Sequence, residues 1–238
     1  MGTKMGPAIA CLTMGYFEER ILEDFSGTPP VLYKRYIDDI VGVAKGPKRE
    51  VEKFVEFVGS YCPFLKFTHE ISPSSVTFLD VSLSIEHHEL SSDIHFKPTD
   101  SHNYLLYSSS HPQSCIKSIP YSQLLRARRI CSDGIKFEDA CSQIEGFFEA
   151  RMYPPEVVNA AKRHVSRVDR DAVLRSSTSD DTKDVIPCVL PFHPSIYPVR
   201  KVIFKHFETL MTDPTTKGIF PNLPTTAFKR ENNLSNHL

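Results

Sequence analysis

Two adjacent carboxylates, Asp38 and Asp39, stand in the stretch YKRYIDDIVGV (33–43), flanked by Tyr36, Ile37, Ile40, Val41 and Val43. An ionised acid among apolar neighbours is costly unless it is paired or bound to a cation. Two side by side also repel each other. Hard oxygen donors at a bend between strands suit Mg²⁺, which takes one or two carboxylates and completes its shell with water and substrate phosphates. In phosphoryl transfer, two such ions offset charge on the attacking and leaving oxygens. An Asp-Asp pair in a solvated turn is a common feature too, and the pair alone does not decide between the two readings.

Other constellations carry less chemistry. His87-His88-Glu89 reads as a hairpin tip, and no second ligand pair stands at metal-site spacing. His111-Pro112 and His193-Pro194 border loops. Neither a GxxxxGK[ST] loop nor a Ser-His-Asp or Cys-His arrangement can be argued from spacing.

The elements that must hold the acids follow from periodicity. Residues 7–25 carry Ile9, Leu12, Tyr16, Phe17, Ile21, Leu22 and Phe25 at helical spacing. Gly2–Gly6 reads as a flexible loop before that helix. Two short strands, 31–37 and 40–44, place the acids at their bend. Residues 48–61 predict an amphipathic helix with Val51, Phe54, Val55 and Val58 on one face. Residues 66–70, 76–85 and 94–96 read as strands, with Asp80 at the centre of the second and paired locally. After SSSHPQS the texture turns helical, with a basic helix over 121–132, a second over 138–150, a turn at 151–154 and a third helix from Pro155 to about Leu174. Residues 176–184 (SSTSDDTKD) read as a linker. The Pro-rich remainder has one helix, over 199–211. The order predicts an α+β fold.

Composition sets bounds. The 238 residues are 40% hydrophobic, enough for one large or two modest domains. No segment reaches the roughly 20 apolar residues of a membrane span, and residues 1–14 lack the pattern of a secretory signal. The six cysteines are scattered without a CxxC pair, which points to a reducing compartment, nuclear or cytoplasmic, and not to secretion. The net charge of -1 conceals a division: residues 1–114 carry 10 basic against 15 acidic side chains, residues 115–175 carry 11 against 8. An acidic, metal-holding part followed by a basic, backbone-tracking part fits a nucleic-acid enzyme.

The succession of blocks resembles the reverse transcriptase of Penelope-like retroelements. MGTKMGPAIACLTMGYFEE (1–19) is similar to the motif B loop and helix of that family, and YKRYIDDIVGV to motif C. LKFTHEISPSSVTFLDVSLSI (65–85) is similar to its later palm strands. FKPTDSHNYLLYSSSHPQSCIKSIPYSQLLRARRICS (96–132) matches the KPTD and SxHP signatures that lead into the thumb. PFHPSIYPVRKVIFKHFETLMTDPTTKGIFPNLPTTAFKRENNL (191–234) resembles the region before an endonuclease module.

The resemblance implies a partial palm at 1–110, a helical, helix-turn-helix-like thumb at 111–178, and a linker with a connecting extension at 179–238. It implies an RNA-directed DNA polymerase using two Mg²⁺ (or Mn²⁺) ions, an RNA template, a DNA primer and deoxynucleoside triphosphates. Asp38 would be the metal ligand, and Asp39 its neighbour with a smaller or structural part. Tyr36 and Ile37 would lie near the primer end, and Gly2, Thr3, Lys4 and Gly6 near template and incoming nucleotide. Lys66 would be the general acid for pyrophosphate departure, with a solvated strand residue as its alternative. The family's fingers, its first catalytic aspartate and its GIY-YIG endonuclease have no counterpart in these 238 residues. The expectation is a fragment without polymerase activity alone. The oligomeric state is left open.

Within the basic region, Lys117, Arg126, Arg128, Arg129, Lys162 and Arg163 are candidates for gripping a nucleic-acid backbone, with Arg151, Arg167 and Arg170 nearby. The competing readings are a non-catalytic helix-turn-helix module, with its turn at 151–154, and a host-retained interaction protein. No run of base-reading side chains opens any one helix, which favours a thumb that holds phosphates.

Overall fold

The computed structural model describes residues 5–175, 186–193, 195, 197–220 and 222–229. The fold is mixed α+β, with small antiparallel sheets. The described residues form two compact units. One runs to Asp100 and takes in Ile130–Glu138; the other holds Ser101–Arg129 and the chain from Asp139 onward.

The first unit begins with helix α1 (Gly6–Asp24), in which Pro7 fits the first turn because its missing N–H has no helical partner there. Gly6 is therefore the first helical residue and not part of a preceding loop. Phe17, Ile21 and Phe25 point inward, whereas Ile9, Leu12 and Tyr16 are exposed. The predicted single stripe is thus two stripes: at 100° per residue, Ile9 to Tyr16 fall on the side opposite Ile21. Strands β1 (Leu32–Tyr36) and β2 (Asp39–Val43) pair antiparallel with Tyr36 opposite Asp39, so Ile37 and Asp38 make the turn. Helix α2 (Lys48–Tyr61) buries Phe54 and Val58 against Ile21, with Tyr33, Phe57, Tyr61 and Phe67 around them.

Residues 66–70 are not a strand: no regular element is found between Tyr61 and Ser75, and there Phe67 packs on the core while Lys66 is exposed. An alternating apolar pattern set by packing alone looks like a strand in sequence but finds no ladder partner. The 76–85 segment is a hairpin and not one strand. β3 (Ser75–Phe78) turns at Leu79-Asp80 into β4 (Val81–Glu86), which removes Asp80 from a strand centre. β4 then turns at His87-His88 into β5 (Glu89–Ile94). Both histidines have positive φ, 51° and 67°, as the tight hairpin tip requires. The strand expected at 94–96 is the end of β5, and only Ile94 belongs to it.

Residues 130–138 join this unit through β5. Ser92 Oγ donates to the Ile130 carbonyl at 2.6 Å, Ser91 and Ser132 share a hydroxyl hydrogen bond of 2.8 Å, and Lys136 Nζ lies 2.7 Å from Glu86 Oε1 and also donates to Ser91.

The second unit is built on α3 (Gln113–Ile130), α4 (Gly134–Glu149) and α5 (Pro155–Val165), apart from the junction residues of α3 and α4 that fall in the first unit. Helix α3 begins eight residues before the predicted start at Tyr121, because Pro120 is accommodated inside it. Its ring is buried, which offsets the lost backbone donor. Ile116, Leu124 and Ala127 of α3, Ala140, Cys141, Ile144 and Phe148 of α4, and Val158, Ala161 and Val165 of α5 are buried. The third predicted helix is two. α5 stops at Val165, and Asp169 caps a short α6 (Arg170–Leu174) by accepting from the Ala172 N–H at 3.2 Å.

Beyond the 176–184 linker segment, which lies outside the described residues, β6 (Pro187–Pro191) and β7 (Thr225–Lys229) form a parallel pair. Helix α7 (Tyr197–Thr212) lies between them in sequence.

Candidate nucleic-acid interface

The helices expected to hold nucleic acid are in the second unit, and their geometry starts with the end of α4. Met152 takes φ 60°, and behind it the Tyr153 N–H donates to the Phe148 carbonyl (3.1 Å) while the Met152 N–H donates to that of Glu149 (2.9 Å). This pair of bonds is a Schellman closure. Its accompanying apolar contact is present too, with the Phe148 and Tyr153 rings 4.9 Å apart at 62°. Pro154 and Pro155 then prevent α4 from continuing and start α5. Two helices therefore meet across a short, defined turn.

Aromatic packing fixes the turn. Phe148 also stacks on Tyr104 (4.9 Å), Tyr107 meets Tyr153 edge-on (5.3 Å), and His102 stacks on Phe147 (3.7 Å). Burial pushes the Tyr153 phenol pKa up, and among the described residues its hydroxyl has no hydrogen-bond partner. Lys162 of α5 pairs with Glu145 of α4 at 3.0 Å. Arg128 Nε donates to the Val168 carbonyl at 3.1 Å, just past α5. Lys117, Arg129 and Arg163 are exposed; Arg126, Arg128 and Lys162 are half-buried. The six candidates do not form one stripe: on α3, Lys117 and Arg128 lie within about 20° of each other, whereas Arg126 is far round the helix.

The acidic pair belongs to the first unit. Asp38 and Asp39 are both exposed at the β1–β2 turn, next to Tyr36 and Ile37, which are 58% and 52% exposed. Ile37 has φ 57°, a left-handed conformation that is strained for a β-branched side chain. Sequence reasoning missed the residue that holds this turn. Arg35 donates to Ile37 O (3.0 Å) and Cys11 O (3.2 Å), and its Nε donates to Glu18 at 2.8 Å. That bond to Glu18 raises the Arg35 pKa, while burial, with Glu18 beside it, raises that of Tyr33. The signal was present as an Arg on the same strand face as Tyr33, with Lys34 on the exposed one.

The donor set at the turn is two carboxylates. Among the described residues no group of three or more His, Cys, Asp or Glu could hold a metal ion. No hydrogen bond or ion pair joins Lys66 to either acid among the described residues. Gly6 opens α1, and Gly2, Thr3 and Lys4 lie outside the described residues. No described helix is long and apolar enough to cross a membrane.

Residues 103–163 match the family model of the animal helix-turn-helix domain. The match takes in α3, α4, the Schellman turn and most of α5. No curated protein and no solved structure matched the chain.

Proposed function

We propose that this chain binds nucleic acid through the helix-turn-helix module of α3, α4 and α5. The observation that carries this reading is the family match over 103–163, supported by a turn whose backbone bonds and aromatic packing fix α4 against α5. The excess of basic side chains over 115–175 supplies the charge that such binding needs. Fluorescence anisotropy of labelled duplex DNA, RNA–DNA hybrid and single strands with the full chain tests it. Saturable binding that weakens with salt is expected, and no binding to any of them at low salt would refute it.

A second reading is favoured by the strained turn that presents Asp38 and Asp39 to solvent. In it the chain is a palm and thumb portion of a Penelope-like reverse transcriptase, the module is the thumb, and the partners are RNA template, DNA primer and deoxynucleoside triphosphates in nucleus or cytoplasm. Asp38 and Asp39 would hold Mg²⁺ or Mn²⁺, which would supply charge neutralisation at the transferring phosphate. Tyr36 and Ile37 would border the primer end, and Lys66 would serve the leaving group. With only two carboxylates grouped, primer extension by this chain alone is expected to fail. Robust synthesis would show that the two acids suffice.

A further inference from the structure

We infer that the module holds its nucleic acid by the phosphodiester backbone at the adjoining C-terminal ends of α3 and α5, and does not read bases with the start of α5. This rests on the proposed nucleic-acid binding and specifies its face and chemistry.

Helices α3 and α5 lie side by side with the same polarity. Tyr121 stacks on His164 at 5.3 Å, and further toward both C-termini Arg128 Nε reaches the Val168 carbonyl at 3.1 Å. The last turns carry Arg128 and Arg129 on α3 and Lys162, Arg163 and His164 on α5, with Arg167 just beyond. Two of these cations are engaged internally, Arg128 with Val168 and Lys162 with Glu145. Arg129, Arg163 and Arg167 are exposed and have no side-chain partner among the described residues. Arg163 stands in the last turn of α5 and Arg167 in the turn that follows it, where its backbone N–H donates to the His164 carbonyl at 3.3 Å. Opposing them are the two helix C-termini, worth about half a negative charge each, and Asp169 and Asp171, of which Asp169 is committed to capping α6. With Arg128, whose charge is not neutralised by the Val168 carbonyl, four positive charges stand against about three negative ones.

The opposite end of α5 repels phosphate. In the usual docking of such a module, the first residues of the second helix contact base edges and the surrounding groups sit against backbone. Here Glu156 lies in that first turn, and Glu145 and Glu149 line the adjacent 220 Å³ cleft with Tyr153, Pro155 and Asn159. Pro155 also has no N–H to offer an anion, and no side chain caps the helix. The module is thus polarised, acidic where base reading would occur and basic where two helices end.

The test uses the full chain and anisotropy titrations with two unrelated duplex sequences at several salt concentrations. Three phosphate contacts at a slope of about 0.9 each predict a roughly fortyfold loss of affinity between about 50 and about 200 mM salt, equal for both sequences. Arg163→Glu with Arg167→Glu should weaken both equally and lower the slope by about 2, one per contact. Glu149→Gln with Glu156→Gln should leave affinity unchanged or raise it. The milder Arg163→Gln with Arg167→Gln, with circular dichroism matched to the parent, replaces the reversal if that variant misfolds. A strong preference for one sequence that disappears on Asn159→Ala or Glu156→Gln would overturn backbone-only binding and leave nucleic-acid binding standing. Failure of the unaltered chain to bind any nucleic acid would overturn both.

Discussion

Arg35 Nε lies 2.8 Å from Glu18 Oε1, each side chain only 14% exposed, and the same guanidinium reaches the carbonyls of Cys11 and Ile37. One side chain therefore joins α1 to the strained turn that precedes Asp38. Truncation leaves Glu18 partly desolvated and unpaired. Arg35→Ala should cost about 2–3 kcal/mol in urea unfolding, somewhat below the figure for a fully buried pair. Glu18→Gln should cost less, and the double variant should show a coupling of about 1 kcal/mol or more. Strictly additive losses would show that the two side chains do not act together.

Met152 closes α4 in the left-handed region with its side chain 66% exposed. A non-glycine residue there is strained by about 1–2 kcal/mol, and glycine returns part of that through its freer unfolded chain. Met152→Gly should raise stability by about 0.5–1 kcal/mol and increase the melting temperature of the full chain. An unchanged or lower melting temperature would mean that Met152 makes contacts worth more than its strain.

How far the sequence reveals this fold depends on whether an element is set locally. Helix α2 is legible to the residue, because Gly46-Pro47 precedes it and Phe54 and Val58 repeat along one face. The hairpin tip at His87-His88 is legible for the same reason, and the β1–β2 turn is legible to within one residue: it falls at Ile37-Asp38, with Asp39 already in β2, where the sequence places it at Asp38-Asp39. Lys66–Glu70 misleads, since Phe67 answers to the core and not to a neighbouring strand. The β6–β7 pairing is hidden, because its halves are far apart in sequence and Pro187 and Pro191 argue against a strand. For the interface, the list of basic residues was readable, but their division into structural and exposed ones was not. The bonds of Arg128 to Val168 and of Lys162 to Glu145 assign those two to the structure.

Phe148 is fully buried at the helix-turn-helix turn, between Tyr104 and Tyr153. Phe148→Ala removes transfer free energy and leaves a cavity, for an expected loss of about 3–5 kcal/mol. Since this rivals the whole stability of many domains, the second unit should unfold and nucleic-acid binding should vanish with it. Hydrogen exchange should show amides of α4 and α5 losing protection. Retained protection there would mean that the core around Phe148 can close over the gap.

Thiol chemistry reports on both units. Cys131 is buried, and burial pushes its pKa up to about 11, so at neutral pH it is a protonated, shielded thiol. Cys62 and Cys141 are buried as well, whereas Cys11 and Cys115 are exposed. Maleimide at pH 7 should modify Cys11 and Cys115 within minutes, and Cys62, Cys131 and Cys141 only after denaturant is added. Peptide mapping by mass spectrometry checks this directly. Rapid native modification of Cys131 would contradict the docking of residues 130–138 on β5.

The pH dependence of that docking is set by Glu86. Hydrogen bonds from Lys136 and then Ser84 hold its pKa below the ordinary carboxylate value. A carboxylate whose folded pKa is depressed contributes stability that is present above its unfolded value and lost as pH falls through the folded one. The contribution should therefore be constant at neutral pH and decline below about pH 4.5, near the free carboxylate value. Glu86→Gln should make the acid limb of a stability–pH curve shallower and lower stability at pH 7 by the same small amount, small because Glu86 is exposed to solvent and its ion pair with Lys136 is screened. Lys136→Met should flatten the same limb and also remove one of the hydrogen bonds to Ser91, so it should cost more than Glu86→Gln at every pH. An acid limb that keeps its slope in both variants would assign the titration to other carboxylates and remove Glu86 from the docking of this segment.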